Sequence, residues 1–131
     1  MTFATMMLPL AHDALAPDGS EVRVLLSQSS GSMAHFLLPA GQVSRAVRHR
    51  TVEEIWYIIF GQGQMWRSDN DHEEISTLAA GTCLTIPVGI SFQFRTLGDE
   101  PLAVVAISMP PWSGHNEAEI VGEGPGWPSF G

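Results

Sequence analysis

Few side chains in this sequence can do covalent chemistry. Its 131 residues include no lysine, which removes Schiff-base catalysis and any lysine general base. Cys83 is the only cysteine, so no disulfide and no thiolate zinc cluster can form within the chain. Its apolar neighbours predict that Cys83 is a small buried hydrophobe. Imidazoles and carboxylates remain, and His49 and Glu54 are residue types suited to proton transfer.

The overall charge restricts the partners. Six arginines and fourteen acids give a formal net charge of -8, which opposes binding to phosphate backbones. No apolar run approaches the roughly 18 residues that a membrane span needs. We therefore predict no nucleic-acid partner and no membrane partner. The lone cysteine leaves the redox compartment open, and a cytoplasmic location is the expectation.

The elements that must position these groups read as strands. Short runs rich in Val, Ile, Leu and Phe alternate with Gly, Pro, Asp and Asn about every ten residues, as in an all-β sandwich or barrel. None keeps a helical period over three turns, so few or no helices are expected. The length suits one domain over residues 1–131. A Gly/Pro-rich tail from about residue 110 to 131 could cover the barrel mouth, pack on a second subunit or be mobile.

A first segment, residues 41–61, reads GQVSRAVRHRTVEEIWYIIFG. It resembles the first motif of the cupin superfamily: glycine, five residues, His-x-His, three or four residues, glutamate, six residues, glycine. Gly41, His49, Glu54 and Gly61 fit this spacing. Val47 stands where the first histidine of the motif would be.

A second segment, residues 81–96, reads GTCLTIPVGISFQFRT. It is similar to the second cupin motif: glycine, five residues, Pro-x-Gly, two residues, histidine, three residues, asparagine. Gly81, Pro87 and Gly89 fit. Phe92 occupies the histidine position and Thr96 the asparagine position, so the scaffold residues are kept and the metal ligand is not.

The resemblance implies a double-stranded β-helix, the jelly-roll barrel of the small single-domain cupins, with its motif-bearing core at residues 41–96. In that family three histidines and one glutamate hold a divalent metal, and members are enzymes, storage proteins or sensors, so the fold fixes no reaction. Here the set is reduced to His49 and Glu54. The family also implies a homodimer.

Strand alternation extends the predicted site beyond the motif positions. Residues two apart share a face, so an inward His49 brings Val47 and Arg45 inward, and Glu54 brings Trp56. A register inference adds three more lining residues: Trp66, Phe92 and Phe94. The result is a mostly apolar cup with a few polar groups, which is typical of a small-molecule pocket.

Several hypotheses for this site stay open. His49 and Glu54 are a relict hydrogen-bonded pair, an acid and base for a bound substrate, or part of a zinc, nickel, iron or manganese site completed by another ligand such as His35. Arg45 either clamps an anionic group of a ligand or neutralises a nearby acid. We prefer a cupin that binds a small organic ligand without a tightly held cofactor. The alternatives are a metal-independent isomerase, epimerase or lyase and a metal-dependent oxygenase with non-standard ligands.

Overall fold

The computed structural model describes residues 2–114, 116–122, 125 and 127–128. These residues form β-strands, and no helix long and apolar enough to cross a membrane occurs among them. The strands are β1 (Ala14–Leu15), β2 (Glu21–Gln28), β3 (Gly31–Leu38), β4 (Val47–His49), β5 (Glu53–Phe60), β6 (Gln62–Ser68), β7 (Glu73–Ala79), β8 (Cys83–Ile86), β9 (Ser91–Leu97), β10 (Leu102–Met109) and β11 (Ala118–Ile120).

The strands form two antiparallel sheets. The larger sheet has the order β1-β2-β3-β10-β5-β8, and the smaller has the order β11-β4-β9-β6-β7. Neighbours such as β3 and β10, or β4 and β9, are far apart in sequence, as expected when a chain winds between two sheets. The predicted all-β jelly-roll architecture is confirmed.

Strand β5 shows why the sheets pack on each other. Its sequence EEIWYIIF places Glu54, Trp56 and Ile58 on one face, and all three are buried. Ile55 and Tyr57 lie on the opposite face and are exposed. The inward side chains of both sheets meet in one apolar core, because alternate residues of a strand point to opposite faces.

Cross-strand register brings residues from distant segments into contact at one end of the core. Glu54 lies opposite Ser108 on β10 and Ile86 on β8, and Ser108 lies opposite Ser32 on β3. In the smaller sheet Val47 lies opposite Phe92. Directly opposed residues share a face, so these pairs all contribute to the interior.

The motif glycines occupy turns that demand them. Gly61 has a φ of 90°, a left-handed conformation that side chains with a Cβ rarely adopt. A Cβ at Gly61 would also clash with the carbonyl oxygen of Pro101. Gly41, Gly81 and Gly89 have positive φ angles as well. The glycines of the two motifs therefore mark the turns between strands.

Both ends of the described chain pack on the sheets. The N-terminal arm, residues 2–13, is held by Arg23, whose guanidinium donates hydrogen bonds to the carbonyl oxygens of Pro9 and Leu10 at 2.8 and 2.7 Å. In the tail, β11 pairs with β4, and Trp112 lies at the open end of the interior. Four tail residues line the interior at that end: Pro111, Trp112, Gly114 and Ala118. Residues 115, 123–124, 126 and 129–131 lie outside the described part.

Candidate functional site

A cavity of about 330 Å³ lies between the two sheets at the end where Glu54 and Val47 are placed. Its walls are largely apolar and include the aromatic rings of Phe36, Trp56, Phe92 and Trp112. The ionisable groups in its lining are Asp18, His49 and Glu54. The cavity thus combines an apolar body with a small polar region.

Glu54 lies on β5 and is 3% exposed. The indole Nε1 of Trp56 donates a hydrogen bond to its Oε1 at 2.9 Å, and the Ser108 hydroxyl is hydrogen-bonded to its Oε2. Burial raises the pKa of the Glu54 carboxyl above its ordinary value, although both hydrogen bonds lower it. The environment of Glu54 therefore favours the neutral acid more than water does.

His49 lies on β4 and is 4% exposed. Its ring packs edge-on against Phe92 and Trp112, with centroid distances of 5.2 Å to each. The Nδ1 atom is buried without a hydrogen-bond partner and lies 4.0 Å from Oε1 of Glu54. Burial lowers the pKa of His49 to about 4. At neutral pH the imidazole is therefore uncharged.

Asp18 is a site residue that sequence reasoning missed. It lies in the turn between β1 and β2, and its Oδ1 accepts hydrogen bonds from the backbone and hydroxyl of Ser20 at 2.9 and 2.6 Å. Burial raises the pKa of Asp18 more than these hydrogen bonds lower it. In the sequence, Asp18 and Gly19 look like an ordinary turn, because aspartate is common there for its local hydrogen bonds.

Most of the predicted lining residues meet in the cavity. Val47, Trp56 and Phe92 line it together with His49 and Glu54. Val47 and Phe92 are the positions at which the cupin motifs carry histidine. All four motif positions therefore face one interior space, as the alignment of the two segments requires.

Three predicted ligand-binding residues lie elsewhere. Phe94 is fully buried in the core, 5.1 Å from Trp56 between ring centroids, and does not line the cavity. Arg45 is also absent from the lining, and its guanidinium donates to the carbonyl oxygen of Pro17 at 3.3 Å. The predicted inward orientation of Trp66 is wrong: Met65 opposes the inward Phe94, so the next residue, Trp66, points to the outer face.

His35 and Cys83 also face away from the cavity. Both lie in one cross-strand row on the outer face of the larger sheet, His35 opposite Val105 and Cys83 opposite Tyr57. His35 therefore cannot complete a site with His49. The prediction that Cys83 is buried is wrong, because the outer face at β8 leaves it exposed.

The residues present do not match the four-ligand metal centre of the family. His49 and Glu54 supply one nitrogen donor and one carboxylate, whereas Val47 and Phe92 supply no donor. Among the described residues, no group of three His, Cys, Asp or Glu side chains is placed to hold a metal ion. A catalytic zinc usually keeps three protein ligands. We therefore assign no role at this site to a resident metal.

Comparisons with known proteins agree with the fold. The family model described as a cupin domain matches residues 34–108. A curated relative, an uncharacterized protein from Methanocaldococcus jannaschii, is 32% identical over 119 residues, which cover 84% of this chain and 91% of the relative.

Two solved structures share the fold at lower identity. Oxalate decarboxylase from Bacillus subtilis superposes with a TM-score of 0.68 at 18% identity, over 78% of this chain and 28% of the enzyme. Protein BH2720 from Bacillus halodurans gives a TM-score of 0.64 at 21% identity, over 72% of this chain and 73% of its own. The chain thus spans just over a quarter of the decarboxylase. From the family match over residues 34–108, this chain belongs to the cupin family.

Proposed function

We propose that this protein binds a small organic ligand in the cavity between its sheets, at a family metal site reduced to His49 and Glu54. The observation that carries the proposal is the buried Nδ1 of His49, which lines the cavity and has no hydrogen-bond partner. A buried polar atom without a partner costs free energy, so a ligand that supplies one gains affinity there.

The composition of the cavity supports the same proposal. A volume of about 330 Å³ falls within the range of small-molecule pockets. Trp56, Phe92 and Trp112 offer apolar area for affinity, and His49 with Glu54 offers polar groups that orient one end of a ligand. This division between apolar walls and a few convergent polar groups is the usual design of such sites.

A tightly bound divalent metal is not part of the proposal. Oxalate decarboxylase from Bacillus subtilis has Mn(II) centres, and it shares the fold at 19% identity. In this chain an aliphatic and an aromatic side chain, Val47 and Phe92, replace two of the four ligands. Manganese favours several oxygen or nitrogen donors, so two donors give weak binding.

The proximity of His49 and Glu54 also supports a second candidate, a metal-independent isomerase, epimerase or lyase. A neutral imidazole nitrogen lies 4.0 Å from a carboxyl oxygen, and both groups line the cavity. Such a pair can remove a proton from a bound substrate at one atom and return it at another. If turnover of a bound compound is unchanged in both His49→Ala and Glu54→Gln, this second candidate fails.

Ligand binding can be tested with a variant that fills the cavity. Ala34 lines the cavity on β3, so Ala34→Phe should fill part of it. The matched control is Ala79→Phe, at an exposed position on β7 in the other sheet. We expect at least one compound from a panel of sugar acids, keto acids, small aromatics and amines to raise the melting midpoint of the parent.

The size of the effect separates the outcomes. A ligand at 100 times its Kd adds about 2.7 kcal/mol, which raises the midpoint by roughly 10 °C for a domain of this size. The shift should persist in Ala79→Phe and disappear in Ala34→Phe, with folding of both checked by circular dichroism. A shift that survives in Ala34→Phe would place the ligand outside the cavity and reject the proposal.

We further propose that the chain forms a homodimer through the outer face of the larger sheet. Ile55, Tyr57 and Ile59 on β5 are 41–47% exposed there, and Met33 on β3 is 38% exposed. A contiguous apolar patch of this kind commonly marks a protein interface. A second copy presents the same apolar patch, as the symmetric contact of a dimer requires.

A further inference from the structure

The charge of the cavity lining has one sign. Asp18 and Glu54 are its acidic residues, and all six arginines, each within the described part of the chain, are absent from it. Arg45, four residues before His49, directs its guanidinium to the carbonyl oxygen of Pro17. An anionic ligand would therefore be buried beside two acids with no arginine to pair with, which costs free energy.

Aromatic rings form much of the remaining wall. Trp56 packs on Phe36 with a centroid distance of 5.7 Å and on Phe92 at 5.9 Å, and Trp112 packs on His49 at 5.2 Å. These rings all line the cavity. Aromatic faces attract cations through their quadrupoles, and cages of such rings are used to bind ammonium groups.

The unpaired nitrogen of His49 points to the same chemistry by an independent route. The His49 side chain is only 4% exposed, and its Nδ1 atom has no hydrogen-bond partner. We assign the proton of the neutral His49 imidazole to Nε2, which leaves Nδ1 as a hydrogen-bond acceptor. Oε1 of Glu54 is a second acceptor 4.0 Å away, so one head group with several N–H donors can reach both atoms.

We propose that the ligand is a small organic amine bound as its ammonium ion, with the charged head between His49 and Glu54 and the apolar body against the aromatic wall. This inference rests on the proposed function, because it names the ligand class of the same cavity. Asp18 is a second acidic residue of the lining, and the proposal requires no direct contact between Asp18 and the ligand.

Two matched sets of probes separate charge from shape. The first set is phenethylamine, 2-phenylethanol and phenylacetate, and the second is isopentylamine, isopentanol and isovalerate. Each set keeps the apolar body and changes the head from cation to neutral to anion. Binding is measured by isothermal titration calorimetry at pH 7. In at least one set we expect the amine to bind at least tenfold more tightly than the alcohol, with no binding of the acid, since one or two favourable charge contacts correspond to about tenfold.

Charge-removing variants locate the preference. Glu54→Gln and Asp18→Asn keep the side-chain shapes. Glu54→Gln should bring the Kd of the amine close to that of the alcohol, and Asp18→Asn should weaken the amine more than the alcohol. The matched control is Glu53→Gln, because Glu53 is the neighbouring acid on β5 and points outward to solvent. The control should keep the parent's preference for the amine.

The outcomes distinguish the inference from the proposed function. If an alcohol or an acid binds as tightly as its amine, and Ala34→Phe abolishes that binding, the cavity binds ligands but the ammonium inference is wrong. If the amine preference survives in Glu54→Gln and Asp18→Asn, the inference is also wrong. If no probe of either set binds but another compound of the panel raises the midpoint of the parent and not of Ala34→Phe, the inference alone is wrong. If neither the probes nor the panel bind, the proposed function is rejected with it.

Discussion

His49 is a histidine that the surrounding fold keeps uncharged. Phe92 and Trp112 pack against its ring, and burial lowers its pKa to about 4. Burial acts on Glu54 in the opposite direction and raises its pKa, because in both cases it disfavours the charged form. Burial thus makes the charged form of each group less favourable than it is in water.

The lowered pKa of His49 predicts that the stability of the fold depends on pH. The pKa of His49 is about 4 in the folded protein, and its ordinary pKa of 6.5 applies to the unfolded chain. Between pH 4 and pH 6.5 the unfolded state therefore binds more protons than the folded state. Stability from a neutral buried His49 is therefore full above pH 6.5 and lost as pH falls towards 4. The lost stability is about 3 kcal/mol at pH 4. Asp18 and Glu54 have raised pKa values and act with the opposite sign, so only a variant isolates the effect.

The isolating variant is His49→Phe, which keeps an aromatic ring between Phe92 and Trp112. Between pH 7 and pH 4 its free energy of unfolding should fall by about 3 kcal/mol less than that of the parent, as measured by urea denaturation. His72→Phe is the control, because His72 is exposed in the turn between β6 and β7 and should follow the parent. Parallel curves for His49→Phe and the parent would show that burial does not keep His49 neutral.

The two replaced motif positions predict a gain of metal binding. Val47 and Phe92 are cross-strand partners that line the cavity with His49 and Glu54, so Val47→His with Phe92→His should complete a set of three imidazoles and one carboxylate. We expect the Kd for Zn²⁺ or Ni²⁺ to fall by at least about 100-fold, because a four-ligand site replaces two donors. Competition with a chelating dye measures this change.

The control for that experiment uses the adjacent cross-strand pair. Arg48 and Ser91 oppose each other on the same two strands but point to the other face. Arg48→His with Ser91→His therefore adds two imidazoles that cannot reach His49 or Glu54. Equal affinities of the two double variants would show that the positions of Val47 and Phe92 do not converge on the pair.

Strands with regular alternation could be read from the sequence, and strands with adjacent apolar residues could not. On β5 the order of Glu54, Trp56 and Ile58 fixes the inward face. On β6 Met65 and Trp66 are both apolar and both buried, so alternation alone cannot choose between them. In the neighbouring strand Gln93 donates to the carbonyl oxygen of Trp127 on the outer face. Packing of the tail on that face is a tertiary feature without a sequence signal.

The site residues outside the two motifs were missed for a related reason. Ser108 is hydrogen-bonded to Glu54 across 54 residues of sequence, and Trp112 reaches the cavity from the tail. Each depends on the pairing of β10 with both β3 and β5. The motif spacing predicts turns and the inward face of two segments, whereas partners supplied by other strands follow only from the sheet order.

Glu117 joins the tail to the loop between β4 and β5. Its carboxylate accepts hydrogen bonds from the backbone N–H groups of Thr51 and Val52 at 2.6 and 2.7 Å and from the Thr51 hydroxyl at 2.7 Å. Burial raises the pKa of Glu117, but these hydrogen bonds outweigh it and lower the pKa overall. The carboxylate thus joins β11 to the loop between β4 and β5.

Glu117→Ala should therefore destabilise the protein by about 2–3 kcal/mol, because it leaves buried N–H groups unpaired. The denaturant midpoint should move at constant slope. Glu119 on β11, two residues along the chain, is a control, since it forms ion pairs at 3.6 and 3.5 Å with the exposed side chains of Arg48 and Arg50. Glu119→Ala should cost less than about 1 kcal/mol. A similar loss of unfolding free energy in both variants would show that the hydrogen bonds of Glu117 contribute no more than a surface ion pair.

The whole chain has a formal net charge of -8, so two copies repel each other unless they meet through uncharged surface. On the outer face of the larger sheet, one cross-strand row provides such a surface: Met33, Ile107 and Ile55. The N-terminal arm, tied to that sheet by Arg23, adds exposed apolar side chains such as Phe3 and Leu10. Burying this area offers the favourable free energy that must exceed the repulsion.

The proposed dimer can be tested with one charge placed on either sheet. Ile55 is 47% exposed on the larger sheet and Ile75 is 51% exposed on the smaller, so Ile55→Arg and Ile75→Arg are matched in chemistry and exposure. By sedimentation equilibrium we expect the parent and Ile75→Arg to have twice the chain mass, and Ile55→Arg to dissociate with a Kd at least about 100-fold higher, since a buried unpaired charge costs several kcal/mol. Salt should strengthen the parent dimer, because screening weakens repulsion between two acidic chains and leaves apolar contact intact. A monomeric parent, or equal dissociation of the two variants, would mean that this face is not the interface.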